Sequence, residues 1–473
     1  MKKKYLGKVL LFIIDVITIF IILQCAIFLR KNVLPYFLQF PEFQAIDFTF
    51  FWWVFPVWLS FFAYEGLYTK RFSFWDEVKV LWKVVFFSTV GVFSVLFLGK
   101  IGEQISRTVI VLMGVVSFLI LPLIRVNTKK LLIRWDLLKS KVLILGAGKT
   151  GKLILNALKR DTNLGYDVAG FLDDDPGKIG KRIDGVKIHM GVDRAERYIN
   201  RCEIHDVIIA MPGCERGRLI TLINQLQHKA QNILLIPDVF GIAVLGTSLQ
   251  HFFQEQAIGL EVKNNLAKPI NILIKKFFDL IVSIGLVFIF AIPLFIIVIL
   301  IKINSKGPAI FSQERIGRND RPFRCFKFRT MYVDAENKLS ELLENNPEAK
   351  EEWEQCWKLQ DDPRITTIGS FLRKTSLDEL PQLFNVLKGD MSLVGPRPVT
   401  KKEIDEYYKE SAKLCFGVPP GITGLWQVSG RSNTNYNYRI ALDLWYVRNW
   451  NLWLDIVILL KTVKVVLNKE GAC

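Results

Sequence analysis

Five long apolar stretches constrain the fold of this chain more than any other feature of its sequence. They cover residues 10–29, 48–64, 80–98, 109–124 and 277–303. A helix needs about 20 mostly apolar residues to cross a bilayer, and the chain's hydrophobic residues, 51% of the total, are concentrated in these stretches. The first four stretches predict a four-helix transmembrane bundle over residues 1–135, so we expect a membrane protein.

Basic residues flank these stretches unevenly. They precede the first stretch, at residues 2–4, and follow the second and the fourth, within residues 70–79 and 125–134. Because Lys and Arg are retained on the cytoplasmic side, both ends of the bundle are predicted to face the cytoplasm. The net charge of +17 indicates anionic lipid headgroups and phosphorylated substrates as partners. Nucleic acid is not expected, because the sequence has no basic-aromatic or zinc-finger module.

The fifth stretch, residues 277–303, determines where the rest of the chain lies. A fifth membrane crossing would place the C-terminal region outside the cytoplasm, away from nucleotide-activated substrates. Pro293 lies near the middle of the stretch, and a proline inside a helix kinks or breaks it. We therefore predict a re-entrant hairpin that enters and leaves the membrane on the cytoplasmic side. A fifth span with a proline kink is the alternative.

The composition changes near residue 141, and residues 136–260 are predicted to form a Rossmann-like cytoplasmic domain. A buried strand at residues 142–145 precedes a G-x-G-x-x-G turn and a helix, and the next strand ends in acidic residues 173–175. The glycines of the turn are Gly146, Gly148 and Gly151. This order is typical of nucleotide binding, with the acidic residue near a ribose. The alternative is that the glycines only permit tight packing of helix against strand.

This region leaves wider hypotheses open. If the glycine turn carried the chemistry, the chain would be a membrane-anchored NAD-dependent nucleotide-sugar oxidoreductase or dehydratase. A non-enzymatic scaffold for polysaccharide assembly is a further hypothesis. The same domain could pair two copies of the chain as a homodimer.

Two adjacent carboxylates, Asp378 and Glu379, precede Pro381. Because proline is tolerated only in the first turn of a helix, we predict a helix with Asp378 at or near its N-cap that ends at Gly389. The unpaired N–H groups and the dipole there would keep Asp378 ionised and available as a nucleophile. Glu379 would point about 100° away around the axis, so the pair would have two separate roles. The alternative is a capping residue beside an ordinary first-turn charge.

Two segments near this pair carry further predictions. Residues 326–331 alternate aromatic and basic side chains, which predicts a strand with one packed face and its cations on the other. Residues 443–467 carry three tryptophans and then an apolar stretch. That composition fits an interfacial helix lying on the bilayer, or a buried helix of the domain.

The chain from about residue 268 to its end resembles the bacterial sugar transferase family, the monotopic polyprenyl-phosphate phosphoglycosyl transferases. The matching motifs are residues 327–331, 362–366, 373–382, 395–398 and 420–424. Several long motifs in one order are more specific than a glycine turn. The resemblance implies a catalytic domain over residues 268–473 that contains the re-entrant hairpin. The expected fold class is membrane α plus α/β: a four-helix transmembrane bundle, a Rossmann-like cytoplasmic domain and a re-entrant-hairpin α/β catalytic domain.

The resemblance also implies a reaction. A sugar 1-phosphate passes from a UDP-sugar to undecaprenyl phosphate at the bacterial inner membrane, releasing UMP, as the first membrane step of O-antigen, capsule or exopolysaccharide assembly. Galactose is the expected sugar and glucose is next. By similarity, Asp378 forms a covalent phosphosugar intermediate and Glu379 holds Mg²⁺. Around these two, the resemblance implies roles in phosphate contact or active-site support for Lys327, Arg373, Arg397, Arg431 and Asp443.

Overall fold

The computed structural model describes residues 2–38, 51–99, 106–237, 248–252, 257–261, 265–347, 350–351, 353, 359, 362–430 and 435–468. The chain divides into two compact units, residues 1–238 and 239–473. Within the described residues, four helical segments are long and apolar enough to cross a membrane: Lys3–Tyr36, Phe74–Leu98, Arg107–Arg134 and Pro269–Asn304. The prediction of a membrane protein is therefore supported by helix length as well as by composition.

The first unit begins with apolar helices that pack around one core. They are α1 (Lys2–Phe28), α2 (Val54–Tyr64), α3 (Phe74–Leu98) and α4 (Arg107–Arg134). Leu23, Trp58 and Leu81 are buried together at the centre. Helices α1, α3 and α4 confirm the first, third and fourth predicted stretches. The second predicted stretch overlaps α2, whose 11 residues are too few to cross a bilayer alone, and residues 48–50 lie outside the described part of the chain.

A buried ionic network holds this bundle together. Glu77 of α3 accepts hydrogen bonds from Arg125 Nε at 3.1 Å and Lys129 Nζ at 2.6 Å, and Arg125 also pairs with Asp15 of α1. Glu77 further accepts a bond of 2.6 Å from the amide of Asn163, which lies in the α/β region of the same unit. Charges buried away from water must be paired, and this network pairs two anions with two cations. It therefore ties α1, α3 and α4 to the α/β region.

The α/β region of the first unit is a six-stranded sheet between two helix layers. Its strands have the spatial order β3-β4-β2-β1-β5-β6, and only the β3–β4 pair is antiparallel. The strands are β1 (Ser140–Leu145), β2 (Tyr166–Asp173), β3 (Arg182–Ile183), β4 (Val186–Met190), β5 (Asp206–Ile209) and β6 (Asn232–Leu235), and the helices are α5 (Lys149–Arg160), α6 (Ala195–Cys202) and α7 (Arg216–Leu226). Ile144 packs towards α5, whereas Leu143 and Leu145 pack towards α6 and α7. The predicted α/β domain is confirmed at this level: β1 and β5 are buried, whereas the edge strand β6 exposes Leu234 and Leu235.

The second unit contains an antiparallel hairpin, a long apolar helix and a compact α/β body. Its strands are β7 (Ser248–Phe252), β8 (Ala257–Glu261), β9 (Ile310–Ile316), β10 (Pro322–Phe328), β11 (Ser392–Val394) and β12 (Gly421–Thr423). Its helices are α8 (Pro269–Asn304), α9 (Ala335–Asn345), α10 (Thr367–Thr375), α11 (Gln382–Lys388), α12 (Lys401–Glu403), α13 (Ala412–Cys415), α14 (Tyr436–Asn449) and α15 (Leu452–Leu467). Strands β9 and β10 pair antiparallel, and β11 and β12 pair parallel. The prediction for residues 326–331 is confirmed for Phe328, which is buried, but β10 ends there and the cation Arg329 is also buried.

Helix α8 is one continuous helix of 36 residues with Pro293 inside it. Residues 282, 286 and 287 in its first half pack against the core that contains Leu383 and Val386. Residues 294, 297, 298 and 301 in its second half pack against the core that contains Phe328 and Leu372. Other apolar side chains of α8 are strongly exposed, including Phe288 at 83%. Both halves of the helix therefore contact the same α/β body while one apolar face stays uncovered.

The prediction of a single helix across residues 443–467 is wrong. The chain breaks between α14 and α15, where the side chain of Asn451 caps α15 by accepting a 2.9 Å bond from Leu454 N. Trp450 lies at the break and is only 2% exposed, and its Nε1 donates to Asp455 Oδ2 at 2.9 Å. This tryptophan is therefore a core residue, although α15 still exposes Val463 and Leu467 on its outer face.

Candidate functional site

The two candidate carboxylates lie on a short turn between two helices. Helix α10 ends at Thr375, and Ser376 then takes a left-handed conformation with φ of 55°. A 3₁₀ turn follows, Leu377–Glu379, before α11 begins at Gln382 with Pro381 as its N-cap residue. The prediction that Asp378 caps this helix is therefore wrong, because the reversal at Ser376 starts a separate turn and Pro381 precedes α11. The predicted end of the helix at Gly389, with φ of 86°, is confirmed.

This turn opens into a cavity of about 1020 Å³ in the second unit. The cavity brings together Lys327, Arg373, Asp378, Glu379 and Arg397 from four separate segments of the chain. Asp443 is not among the residues that line it, and Arg431 lies outside the described part of the chain. Five of the seven residues singled out for the catalytic domain thus share one wall of one cavity.

The cations are distributed unequally between the two carboxylates. Lys327 Nζ is 2.7 Å from Glu379 Oε1 but 4.0 Å from Asp378 Oδ2. Arg397 Nη2 lies 3.7 Å from the same Glu379 oxygen. Arg373 is positioned by a 2.9 Å hydrogen bond from its Nε to Thr330 Oγ1. Glu379 therefore has close cationic neighbours, whereas the charge of Asp378 is compensated at longer range.

The electrostatics of Asp378 follow from its surroundings and not from a helix end. Burial raises the pKa of the Asp378 carboxyl, and repulsion from Glu379 raises it further. Lys327 and Arg373 act in the opposite direction and favour the carboxylate. The prediction that a helix N-terminus lowers this pKa is wrong, because Asp378 does not lie at one. The ionised form of Asp378 depends on these two cations.

Two residues that support this geometry were not predicted from the sequence. Asn385 of α11 is fully buried; its Oδ1 accepts a bond from Phe326 N at 3.0 Å and its Nδ2 donates to Arg324 O at 2.8 Å. It thereby fixes β10, which carries Lys327, against the helix that follows Glu379. Thr330 is the second, as the partner of Arg373. An amide inside the apolar run of residues 383–387 was the available signal for Asn385.

Asp443 lies behind the cavity and not in its wall. It is 2% exposed, and Tyr408 Oη donates to its Oδ2 at 2.8 Å. Burial raises the pKa of Asp443 to about 6. On the same helix, the Arg439 guanidinium lies 4.8 Å from the ring centroid of Trp426, which does line the cavity. Asp443 is therefore positioned to support the site through neighbouring side chains.

The residues present fit a metal that is shared with a substrate. Among the described residues no group of three or more His, Cys, Asp or Glu side chains could hold a metal ion. Mg²⁺, however, is commonly bound by one or two carboxylates together with substrate phosphate oxygens. Glu379 supplies one such carboxylate on the wall of a cavity of about 1020 Å³. The site fits a jointly held Mg²⁺ and not an all-protein metal centre.

In the glycine turn of the first unit, two of the three glycines are packed too closely for a side chain, and the third borders open space. Gly146 has φ of +97°, and a Cβ on Gly151 would overlap the carbonyl oxygen of Gly146, so both glycines are required by packing. A Cβ on Gly148, by contrast, would meet nothing within 4 Å. Ala147 N, between the glycines, donates to Asp173 Oδ2 at 2.8 Å. Packing therefore accounts for glycine at positions 146 and 151, and Gly148 faces open space.

The fold and the cavity define a class: a membrane-embedded protein with an α/β domain whose main cavity sets two carboxylates among Lys and Arg side chains. Comparison with known protein families identifies it further. The family described as bacterial sugar transferase matches residues 270–469, and a family described as CoA-binding domain matches residues 64–237. With the relatives that follow, these matches show that the chain belongs to the bacterial sugar transferase family.

Relatives match over most of this chain. The undecaprenyl-phosphate galactose phosphotransferase of Salmonella typhimurium is 38% identical over 409 residues, 86% of this chain and 84% of the relative. The UDP-galactose-lipid carrier transferase of Erwinia amylovora is 37% identical over 86% of this chain and 84% of its own length. The UDP-glucose:undecaprenyl-phosphate glucose-1-phosphate transferase of Escherichia coli K12 is 34% identical over 69% of this chain and 67% of its own length.

Proposed function

We propose that this protein transfers a sugar 1-phosphate, in the first place galactose 1-phosphate, from a UDP-sugar to undecaprenyl phosphate and releases UMP. The observation that carries the proposal is the single cavity in which Asp378 and Glu379 lie among Lys327, Arg373 and Arg397. Two relatives that match 86% of the chain are named for galactose, and a relative named for glucose matches 69%. Glucose is therefore the second candidate. The reaction would be the first membrane step of O-antigen, capsule or exopolysaccharide assembly.

The chemistry divides into two displacements at one phosphorus atom. In the first, a carboxylate oxygen of Asp378 bonds to the sugar-bearing phosphorus, and the bond from that phosphorus to UMP breaks, so UMP leaves with the electron pair. In the second, a phosphate oxygen of the lipid bonds to the same phosphorus and the bond to Asp378 breaks, which restores the carboxylate. Lys327, Arg373 and Arg397 line the same cavity and offset the charge of two anionic substrates.

Glu379 is the proposed protein ligand of Mg²⁺, with the remaining positions left to diphosphate oxygens and water. Bound there, Mg²⁺ would supply charge neutralisation for the diphosphate. Glu379 already sits 2.7 Å from Lys327 Nζ, so metal binding requires that this ion pair opens or that both cations share the carboxylate. Lys327 is then free to contact a substrate phosphate.

The catalytic domain is proposed to face the cytoplasm with α8 entering and leaving the membrane on that side. A helix that crossed the bilayer would carry its two ends to opposite faces, yet both halves of α8 pack against the same α/β body. Pro293 lies between those halves. The exposed apolar side chains around it, such as Phe288 and Ile292, would then lie within the cytoplasmic leaflet. This arrangement also places the cavity on the side where UDP-sugars occur.

The α/β region of the first unit is proposed to bind a nucleotide at Gly148, where no side chain occupies the space above the turn. Asp173 at the end of β2 is the acidic residue nearest the turn. A homodimer formed through this region stays a prediction. Gly148→Val would abolish nucleotide binding, measured by calorimetry with NAD⁺ and UDP-sugars, because its side chain would fill that space. Unchanged binding would contradict the site.

The decisive experiment for the transferase is UMP release from a panel of UDP-sugars, with and without undecaprenyl phosphate. Release should require both the lipid phosphate and Mg²⁺, and Asp378→Asn should abolish it by removing the nucleophile. Asp405→Asn, an exposed carboxylate on the same domain, is the matched control and should retain activity. Retained turnover in Asp378→Asn would overturn the mechanism. Oxidation of a UDP-sugar with NAD⁺, lost in Gly148→Val, would support the oxidoreductase alternative instead.

A further inference from the structure

A second cavity adjoins the first cavity at the C-terminal end of α8. It has a volume of about 510 Å³ and is lined by Ser305, Lys306, Tyr332, Val333, Asp334 and Asn337. The last four of these residues also line the cavity that holds Asp378. Ser305 is the C-cap residue of α8. The two cavities together form a passage from the end of α8 to the carboxylates.

The walls of this passage carry exposed apolar side chains. Val333 is 70% exposed, and Phe311, on the wall of the first cavity, is 52% exposed. Ile303 in the last turn of α8 is 79% exposed, so the apolar surface of the helix extends to the mouth of the passage. A surface of this kind, continuous with a membrane helix, is typical of contact with an apolar ligand.

The turn between α8 and β9 packs tightly against residues that line this passage. A Cβ on Gly307 would overlap Nη1 of Arg329 and come within 2.8 Å of Cγ2 of Val333. Arg329 donates to the carbonyl oxygens of Ser305 and Lys306, both at 2.8 Å. This buried guanidinium therefore fixes the turn and leaves Lys306 on the wall of the passage.

The charge of the passage favours an anion. Lys306 lines it and forms no ion pair with the residues that the structure describes. Among the described residues that line both cavities, Asp334 is the one carboxylate, and it pairs with Lys338 at 3.6 Å. A ligand that enters here would therefore meet a cation and an apolar wall together.

We propose that this passage is the route by which the lipid phosphate acceptor reaches Asp378. Lys306 contacts the phosphate as it enters at the end of α8, and Val333 and Phe311 contact the first isoprenoid units once the phosphate has reached Asp378. The inference rests on the proposed function. A UDP-sugar carries no apolar chain to cover Val333 and Phe311, whereas a polyprenyl phosphate combines an anionic head with an apolar tail. The same passage begins at α8, where such a lipid would leave the bilayer.

The test separates the two substrates of the reaction. Val333→Asp and Lys306→Gln should each raise the KM for a long-chain polyprenyl phosphate about tenfold, because each removes one apolar or charged contact. The KM for the UDP-sugar should stay unchanged. Val463→Asp is the matched control, since Val463 is 58% exposed on α15 and lines neither cavity. Lys306→Gln, a mild change at an exposed position, keeps the test valid if Val333→Asp does not fold.

Three outcomes would count against the proposal. An unchanged KM for the lipid phosphate in both variants would overturn it while leaving the transferase intact, because UMP would still be released. An equal rise in Val463→Asp would assign the effect to general membrane contact and would also overturn it. Wild-type protein that releases no UMP with any acceptor would overturn the proposed function itself.

Discussion

Replacing Gly369 with alanine tests how tightly the site depends on the packing of α10. Gly369 lies in the first turn of this helix, directly against the backbone of Thr330. An added Cβ would lie 2.7 Å from the carbonyl carbon and 2.8 Å from the Cα of Thr330, and closer still to its carbonyl oxygen. Since backbone atoms cannot rotate away, α10 and the Thr330 segment must separate.

The size of the effect follows from that separation. Ordinary van der Waals contact begins at 3.4 Å, so relieving the overlap with the Thr330 carbonyl oxygen needs a shift of more than about 1 Å, and overpacking of this kind costs about 1–3 kcal/mol. Arg373, one turn further along α10, is held by Thr330 through its 2.9 Å hydrogen bond. A displacement of about 1 Å in a positioning group lowers turnover about 100-fold. We therefore expect Gly369→Ala to lose about 100-fold in kcat.

The assay is UMP release, combined with thermal unfolding of the purified protein in detergent. Gly285→Ala is the matched control, because Gly285 is also a helical glycine of the second unit and a Cβ there would meet nothing within 4 Å. That variant should keep its activity and gain about 0.5–1 kcal/mol from the better helix former. Wild-type turnover in Gly369→Ala would refute the dependence of Arg373 on this contact.

Three further predictions concern neighbouring groups. Lys327→Met should move the acidic limb of the pH–rate profile to higher pH. Lys327 lowers the pKa of the Asp378 carboxyl, so without it that carboxyl stays protonated over a wider pH range. An acidic limb at the wild-type pH would contradict this. Asn385→Ala should lower the free energy of unfolding by about 1–3 kcal/mol, measured by denaturation, because two buried backbone groups of β10 lose their partner. Asp443 has a raised pKa of about 6, so its contribution to stability is present at low pH and lost as pH rises through that value. Asp443→Asn should therefore gain up to about 3 kcal/mol relative to wild type between about pH 4 and pH 8, and parallel pH–stability curves would contradict this.

The features that the sequence predicted well are those set by local pattern. The apolar stretches predicted α1, α3 and α4 because helix length in a membrane is fixed by bilayer thickness. The strand at residues 142–145 and the turn at Gly146 followed from a buried run next to glycines. Lys327, Arg373 and Arg397 could be named because they stand in motifs, and the cavity brings them together.

The features that the sequence could not predict depend on contacts between distant segments. The position of Pro381 predicted that a helix starts at Asp378, but the chain reverses at Ser376 before that helix begins. A serine in the left-handed conformation has no reliable signal in the sequence. The sequence pattern suggests that Trp450 is an interfacial anchor. In the structure its Nε1 donates a hydrogen bond to the buried carboxylate of Asp455. Asn385 matters only because β10, more than fifty residues earlier, passes beside it.

The two carboxylates differ in a way that explains their proposed division of labour. Glu379 lies 2.7 Å from one cation and 3.7 Å from another, so its negative charge is well compensated. Asp378 is partly buried, its ion-pair partner Lys327 is 4.0 Å away, and the pKa of its carboxyl is raised. A carboxylate whose anion is poorly stabilised forms a bond to phosphorus more readily, provided that it is deprotonated. This asymmetry favours Asp378 as the nucleophile. Glu379 would then be the carboxylate next to the Mg²⁺ that the substrate phosphates bind.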